Sequence, residues 1–414
     1  MIHSRYFLLA TAMGVALLSL FLLFAPERAQ AGGVVGNGTP ASCTDAALSA
    51  AIASGGLVTF NCGANPHPII VNTFVIDKDT TVDGGGLITL DGEGLRQIFY
   101  VQNGATLIVK NLTMKNASAA NGGAIYNQGT ATVQNSTIQN SETTSSGGAI
   151  HNLGTLSVDG VAFLNNTATV SGGGIYNNGG VVTVTNSTFS VNIAAEGGAI
   201  AQNGGTLTLQ NSLLMGNSAN NNGGGIRNLS GQIHVTNVTF AGNFADRGGG
   251  VDLASGAIVT MTYSTLSINH ANLGGGIFSE AGSSISLLNT VLSDSLELSG
   301  LSPSLNCDNG GSPVHSLGHN LSTDNSCNLN AAGDQPGVSG AKLAPIADNG
   351  GPTWTNMPQP GSPLIDAGQC LTAVTTDQRG ALRPAGTACD IGAAEYGANL
   401  PPPLLLVYIP LVTH

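Results

Sequence analysis

Charge is the first scarcity of this sequence. Lys, Arg, Asp and Glu make up 8% of 414 residues, with 11 basic against 23 acidic side chains and a formal net charge of −12. Eleven dispersed cations form no basic stripe, so nucleic acid is not an expected partner. The shortage of Lys, Glu and Arg also removes the usual surface residues of long helices. Aromatics are few, at 5%, with a single Trp. Six cysteines are present but no CxxC, which leaves zinc and thiol-redox chemistry without support; no metal or cofactor is expected. Disorder is ruled out by what remains, because 42% of residues are apolar and disordered chains lack that content.

Glycine, by contrast, is abundant, with 59 copies, and its placement is periodic. Gly-Gly-(Ala/Gly)-(Ile/Val) ends at Ile125, Ile150, Ile175, Ile200, Ile226, Val251 and Ile277. Apolar residues keep the same phase. One column reads Val109, Val133, Val158, Val184, Leu209, Val235, Met261 and Leu287. A second, two residues earlier, runs from Leu107 to Ile285, and a third, five residues later, from Met114 to Leu292. Alternation inside each segment has period two, the strand signature. A unit of about 25 residues holding two or three short strands cannot bury its own apolar side, and stacking unit on unit solves this. The fold class is therefore all-β, a parallel β-helix of about 25 residues per turn. Glycine supplies the corners. Asn111, Asn135, Asn186, Asn211, Asn237 and Asn289 share one position, and Asn127, Asn152, Asn177 and Asn228 another; Asn tolerates left-handed backbone and can form stacked amide ladders.

The glycine motif is paired with Phe-x-x-Asn: Phe163–Asn166, Phe189–Asn192 and Phe240–Asn243. Leu214…Asn217 and Leu266…Asn269 are conservative variants, while Met114 and Ile138 are followed by Asn one residue sooner. Over about residues 100–295 this pattern resembles the polymorphic outer-membrane protein repeat of chlamydial surface proteins. The resemblance implies a right-handed parallel β-helix of the pectin-lyase-like kind on an exported surface protein. Members of that family usually end in an outer-membrane barrel, and no run of alternating ten-residue strands follows the repeats here.

The flanks read differently. Residues 1–31 form a signal peptide, with His3 and Arg5 ahead of an apolar run and Ala29-Gln30-Ala31 as cleavage site; an uncleaved anchor is the alternative. Residues 32–100 hold a cap and irregular first coils, with a helix over Ala46–Ala53 capped by Thr44-Asp45 and closing the apolar end. Residues 101–298 are the β-helix repeats. Residues 299–396 resemble the "choice-of-anchor Q" region of bacterial surface β-helix proteins, carried by Asn349–Thr353 with Gly361–Gly368 and by Asp377–Pro384 with Asp390–Glu395; that implies a cap or sorting module. Residues 397–414 are a Pro-rich linker and a short apolar tail, too short to span a membrane, so no transmembrane segment remains after signal removal. An even cysteine count in an exported protein favours disulfides, and three local spacings suggest Cys43–Cys62, Cys307–Cys327 and Cys370–Cys389 among fifteen connectivities.

Few residues suggest chemistry. Acidic side chains in the repeats are dispersed, without the facing carboxylates a glycosidase needs or the basic groove residue of a lyase. The Arg379, Arg383, Asp377, Asp390, Asp366 and Glu395 cluster fits an ion-paired turn network better than a catalytic acid pair. The one candidate binding feature is the position after each glycine corner: Tyr126, His151, Tyr176, Arg227, Asp252 and Phe278. If the corner Ile points inward, alternation turns this column outward, where aromatic and charged groups in line could hold an extended glycan. The sequence thus reads as an exported, extracellular or cell-surface, adhesin-like or structural β-helix protein with polysaccharide or surface components as partners; a polysaccharide lyase or glycoside hydrolase of the same fold is the alternative.

Overall fold

A computed structural model describes residues 31–298 and 303–400. The signal peptide read over residues 1–31 lies outside the described residues except for Ala31, as does the tail from 401 onward. The chain is an all-β parallel β-solenoid of about 11 turns, with about 25 residues per turn. In the turn beginning at Gly147, the strands are Ile150–Asn152, Thr155–Asp159, Ala162–Leu164 and Thr167–Ala168. Each pairs in parallel with its counterpart one turn on, residue for residue: Leu156 sits on Val182 and Phe163 on Phe189. The apolar columns foreseen from the sequence become internal stacks, every member from Val109 to Leu287 at most 2% exposed.

Asparagines make the corners. Asn111, Asn135, Asn186, Asn211, Asn237 and Asn289 all have φ between 45° and 55°, a region that costs most side chains energy and that Asn tolerates. The second column forms a buried ladder: Asn127 Nδ2 donates to Asn152 Oδ1 at 2.6 Å, Asn152 to Asn177 at 2.8 Å, and Asn177 to Gln202 Oε1 at 2.9 Å. The Asn of Phe-x-x-Asn forms another, running from Asn166 through Asn192, Asn217 and Asn243 to Asn269 with steps of 2.9–3.0 Å. The second glycine of each corner is there for space: at Gly198 a Cβ would lie 2.5 Å from the Gly224 carbonyl oxygen.

The front end is closed by the helix Asp45–Ala53, whose N-cap Thr44 accepts a hydrogen bond from Ala47 N at 3.2 Å and which buries Leu48, Ala51 and Ile52. All three expected disulfides form, with Cα–Cα distances of 5.7, 4.9 and 5.2 Å. The C-terminal region does more than close the far end. Cys307–Asp308, His315–Ser316 and Leu321–Ser322 add one further turn. The chain then runs back along the flank formed by the third strands. Thr353 Oγ1 donates to Asn211 O at 3.1 Å, Thr239 Oγ1 to Gln378 Oε1 at 2.7 Å, and Ser267 Oγ to Asn356 Oδ1 at 2.9 Å. Leu213, Thr239, Thr265 and Val291, which face outward from successive third strands, are buried beneath it. Among the described residues no helix is long and apolar enough to cross a membrane.

Candidate functional site

The residue after the corner Ile is in register through the whole solenoid: Tyr100, Tyr126, His151, Tyr176, Ala201, Arg227, Asp252, Phe278, Asp308. Its first half is a continuous aromatic ridge. Ring centroids are 5.5 Å apart for Tyr100–Tyr126, 5.1 Å for Tyr126–His151 and 4.9 Å for His151–Tyr176, the last two edge to face, the arrangement favoured by ring quadrupoles. Amides line it: Tyr100 Oη donates to Gln128 Oε1 at 2.9 Å and Asn203 Nδ2 to Tyr176 Oη at 3.2 Å. Tyr100 has the same spacing from Tyr126 that the repeat dictates, but no glycine pair precedes it, so the glycine motif does not mark it.

The expectation that this column faces solvent is corrected for four of its six members. Tyr126 and Tyr176 are half-buried, but His151, Arg227, Asp252 and Phe278 are 7%, 5%, 0% and 6% exposed. Alternation does turn the side chains away from the core. What covers them comes from neighbouring segments: a Cβ on Gly248 would lie 2.7 Å from Asp252 Cβ, one on Gly310 2.9 Å from Phe278 Cζ, and the flanking rings of Tyr126 and Tyr176 lie edge-on to His151. Burial pushes the His151 imidazole down to about 4.

The second half of the column is a shielded charge cluster. Arg227 pairs with Asp252, Arg247 Nη2 contacts Glu280 Oε1 at 2.6 Å, and Arg247 Nε lies 3.6 Å from Asp252 Oδ2. The Arg247 guanidinium also lies 4.6 Å from the Phe278 ring centroid. Burial raises the Glu280 carboxyl, but hydrogen bonding from Arg247 and the charges of Arg227 and Arg247 leave it below its ordinary value. Arg247 and Glu280 lie outside the column in sequence, and only the fold brings them to it.

The acidic and basic residues of the C-terminal region are also assembled, as structure. Arg379 Nη2 contacts Asp377 Oδ2 and Arg383 Nη1 contacts Glu395 Oε2, each at 2.7 Å and each buried. The remaining carboxylate oxygens accept backbone N–H groups, including Ala381 and Ala385. Arg383 stacks on Tyr263 at 4.2 Å. Among the described residues, no three His, Cys, Asp or Glu side chains converge to hold a metal ion.

With this geometry in hand, one comparison is informative. Residues 160–178 match the family model of the Chlamydia polymorphic membrane protein repeat. The matched stretch holds Phe163–Asn166 and the corner Gly172–Ile175, so both halves of the motif fall inside it. One turn of the parallel β-solenoid is thus similar to the Chlamydia polymorphic membrane protein repeat. No curated protein and no solved structure matches the chain.

Proposed function

We propose that this is an exported, cell-surface β-solenoid that acts as a rigid, non-catalytic binding rod, with Tyr100, Tyr126 and Tyr176 of the aromatic ridge, buttressed by buried His151, as its contact for an extended neutral glycan. The observation that carries the reading is the ridge. Half-buried tyrosine rings in line from turn to turn, held tilted and edge to face, offer edges and partial faces to pyranose rings laid along the solenoid axis, and Gln128 and Asn203 supply amides beside them. A net charge of −12 disfavours polyanionic chains and leaves neutral ones. The absence of catalysis is supported by the state of the arginines: Arg227 and Arg383, which a lyase would need free in a groove, are buried and ion-paired. Three disulfides and the surface-protein repeat support export and surface display.

The test is retention of the purified protein on neutral polysaccharides, with products analysed. Tyr126→Ala with Tyr176→Ala is expected to reduce retention several-fold without altering the fold. Equal retention by the variant removes the ridge from the proposal, and release of unsaturated or hydrolysed oligosaccharides transfers the protein to the enzyme class.

A further inference from the structure

We propose that the C-terminal segment Leu404–Val412 docks on the flank of its own solenoid, in the groove beside Trp354. The groove lies where the returning C-terminal region stops covering the third strands. Leu164, Leu213 and Met215 provide its apolar floor, Thr188 and Ser190 its hydroxyls, and Trp354 one wall, around about 230 Å³. Trp354 is the only Trp of the chain and is 47% exposed. It is not loosely held. Buried Gln378 donates to Trp354 O at 3.1 Å and to Thr353 Oγ1 at 2.9 Å, and that hydroxyl is itself bonded to Asn211 O at 3.1 Å. The backbone that carries the indole is thus held, and the large ring lies half in water beside apolar side chains, an arrangement that suits an apolar partner.

The position at which the described chain ends identifies the occupant. The Leu400 side chain rests on Gly350 so closely that a Cβ there would collide with it. Gly350 and Trp354 are four residues apart, at most about 14 Å of chain. Three successive prolines, 401–403 in the sequence, would span about 9 Å as polyproline II. The nine residues that follow, Leu-Leu-Leu-Val-Tyr-Ile-Pro-Leu-Val, reach up to about 30 Å when extended. Eight of the nine are apolar, and the stretch is too short to span a bilayer. Pro410 prevents a full ladder of strand hydrogen bonds, so side-chain burial in the groove, rather than an added full strand, is the fit.

The lone Trp makes the test direct. Emission and acrylamide quenching of Trp354 are measured in the full chain, in a chain stopped after Leu400, and in full-length Thr188→Arg, which fills the groove from an outward-facing position. The full chain is expected to show blue-shifted emission and several-fold weaker quenching than the truncated chain. Thr188→Arg should resemble the truncated chain, and a synthetic peptide of residues 401–414 should restore protection to it. Equal quenching of full and truncated chains overturns the proposal, and that comparison stands even if Thr188→Arg fails to fold. Protection that rises with protein concentration together with dimer formation overturns it in favour of a neighbouring copy's segment. Tail-dependent binding to phosphatidylcholine vesicles with Trp354 left open overturns it in favour of a lipid surface.

Discussion

Replacing Asn217 with alanine tests whether the Phe-x-x-Asn ladder holds the turns together. Asn217 is fully buried. Its Oδ1 accepts from Asn192 N at 3.0 Å and from Asn192 Nδ2 at 2.9 Å, and its Nδ2 donates to Phe189 O at 3.0 Å and to Asn243 Oδ1 at 2.9 Å. Alanine deletes all four bonds. Asn243 Oδ1 keeps the backbone N–H of residue 217, but two Asn192 hydrogens lose their acceptor in a site closed to water. Each orphaned buried group costs about 1–3 kcal/mol, so a loss of about 3–5 kcal/mol is expected once the small cavity is added. Turns of a solenoid touch only their neighbours, so the loss should be local. Hydrogen exchange read by mass spectrometry is the suitable assay, because it resolves opening free energies along the chain. Protection should fall in the strands Ile193–Glu196 and Ser218–Asn222 and stay unchanged in the helix Asp45–Ala53. Asn203→Ala, at an exposed amide, is the control and should stay within about 0.5 kcal/mol. A loss at residue 217 below about 1 kcal/mol, or one spread evenly over the chain, would refute the reasoning.

Two further predictions concern strain and pH. Val191 has φ of 57° and is 48% exposed, at the position filled elsewhere by Asn116, Asn140 and Asn165; left-handed backbone costs a branched residue about 1–2 kcal/mol, so Val191→Asn should raise stability by about 1 kcal/mol in thermal unfolding, and a decrease would contradict this. His151 and Asp390 should oppose one another between pH 4 and 6. Burial lowers His151 to about 4 from 6.5 unfolded, so its contribution is present above pH 6.5 and lost as pH falls through 4. Burial raises Asp390 to about 6 from 3.8, so its contribution is present below pH 3.8 and lost as pH rises through 6. Each is worth roughly 3 kcal/mol at 1.36 kcal/mol per unit. Asp390→Asn should therefore leave stability rising with pH in that window and His151→Phe should leave it falling, as read from denaturant midpoints; parallel slopes in the two variants would show that neither group titrates as described.

The periodic features were legible because a solenoid writes its geometry into the sequence once per turn. Glycine corners at steps of 25 or 26 residues fixed the register in which Leu156 meets Val182, and the fixed offset of Asn127, Asn152 and Asn177 announced their ladder. The disulfides were legible because each closes a local loop of 19 or 20 residues. The burial of His151 and Arg227 was not, since period-two alternation says which way a side chain leaves the strand and nothing about neighbouring segments covering it. Nor was the return of the C-terminal region along the flank. The bond between Thr239 and Gln378 joins residues 139 apart, and no repeat connects them. Glu280 and Arg247 were missed at the charge cluster for the same reason.

This contrast shows where function is written in such a chain. Positions that obey the repeat, such as Val133 or Asn217, are fixed by the stack and carry no further information. Positions that break it do. Tyr263 stands in the column otherwise filled by Asn237 and Asn289, in the same left-handed conformation that Asn adopts at lower cost. It is the residue on which Arg383 stacks at 4.2 Å, and its hydroxyl donates to Gln369 O, so the irregular residue adds an aromatic platform to the bonds that Asn237 and Asn289 of the same column make to Thr376 O and Gln369 O. The run of Tyr100, Tyr126, His151 and Tyr176 stands in a column that further on holds Ala201, ion-paired Arg227 and Asp252, buried Phe278 and Asp308. By the same logic its aromatic character is not required by the solenoid, since Ala201 satisfies the stack equally well, and it is on these rings that the proposed glycan contact rests.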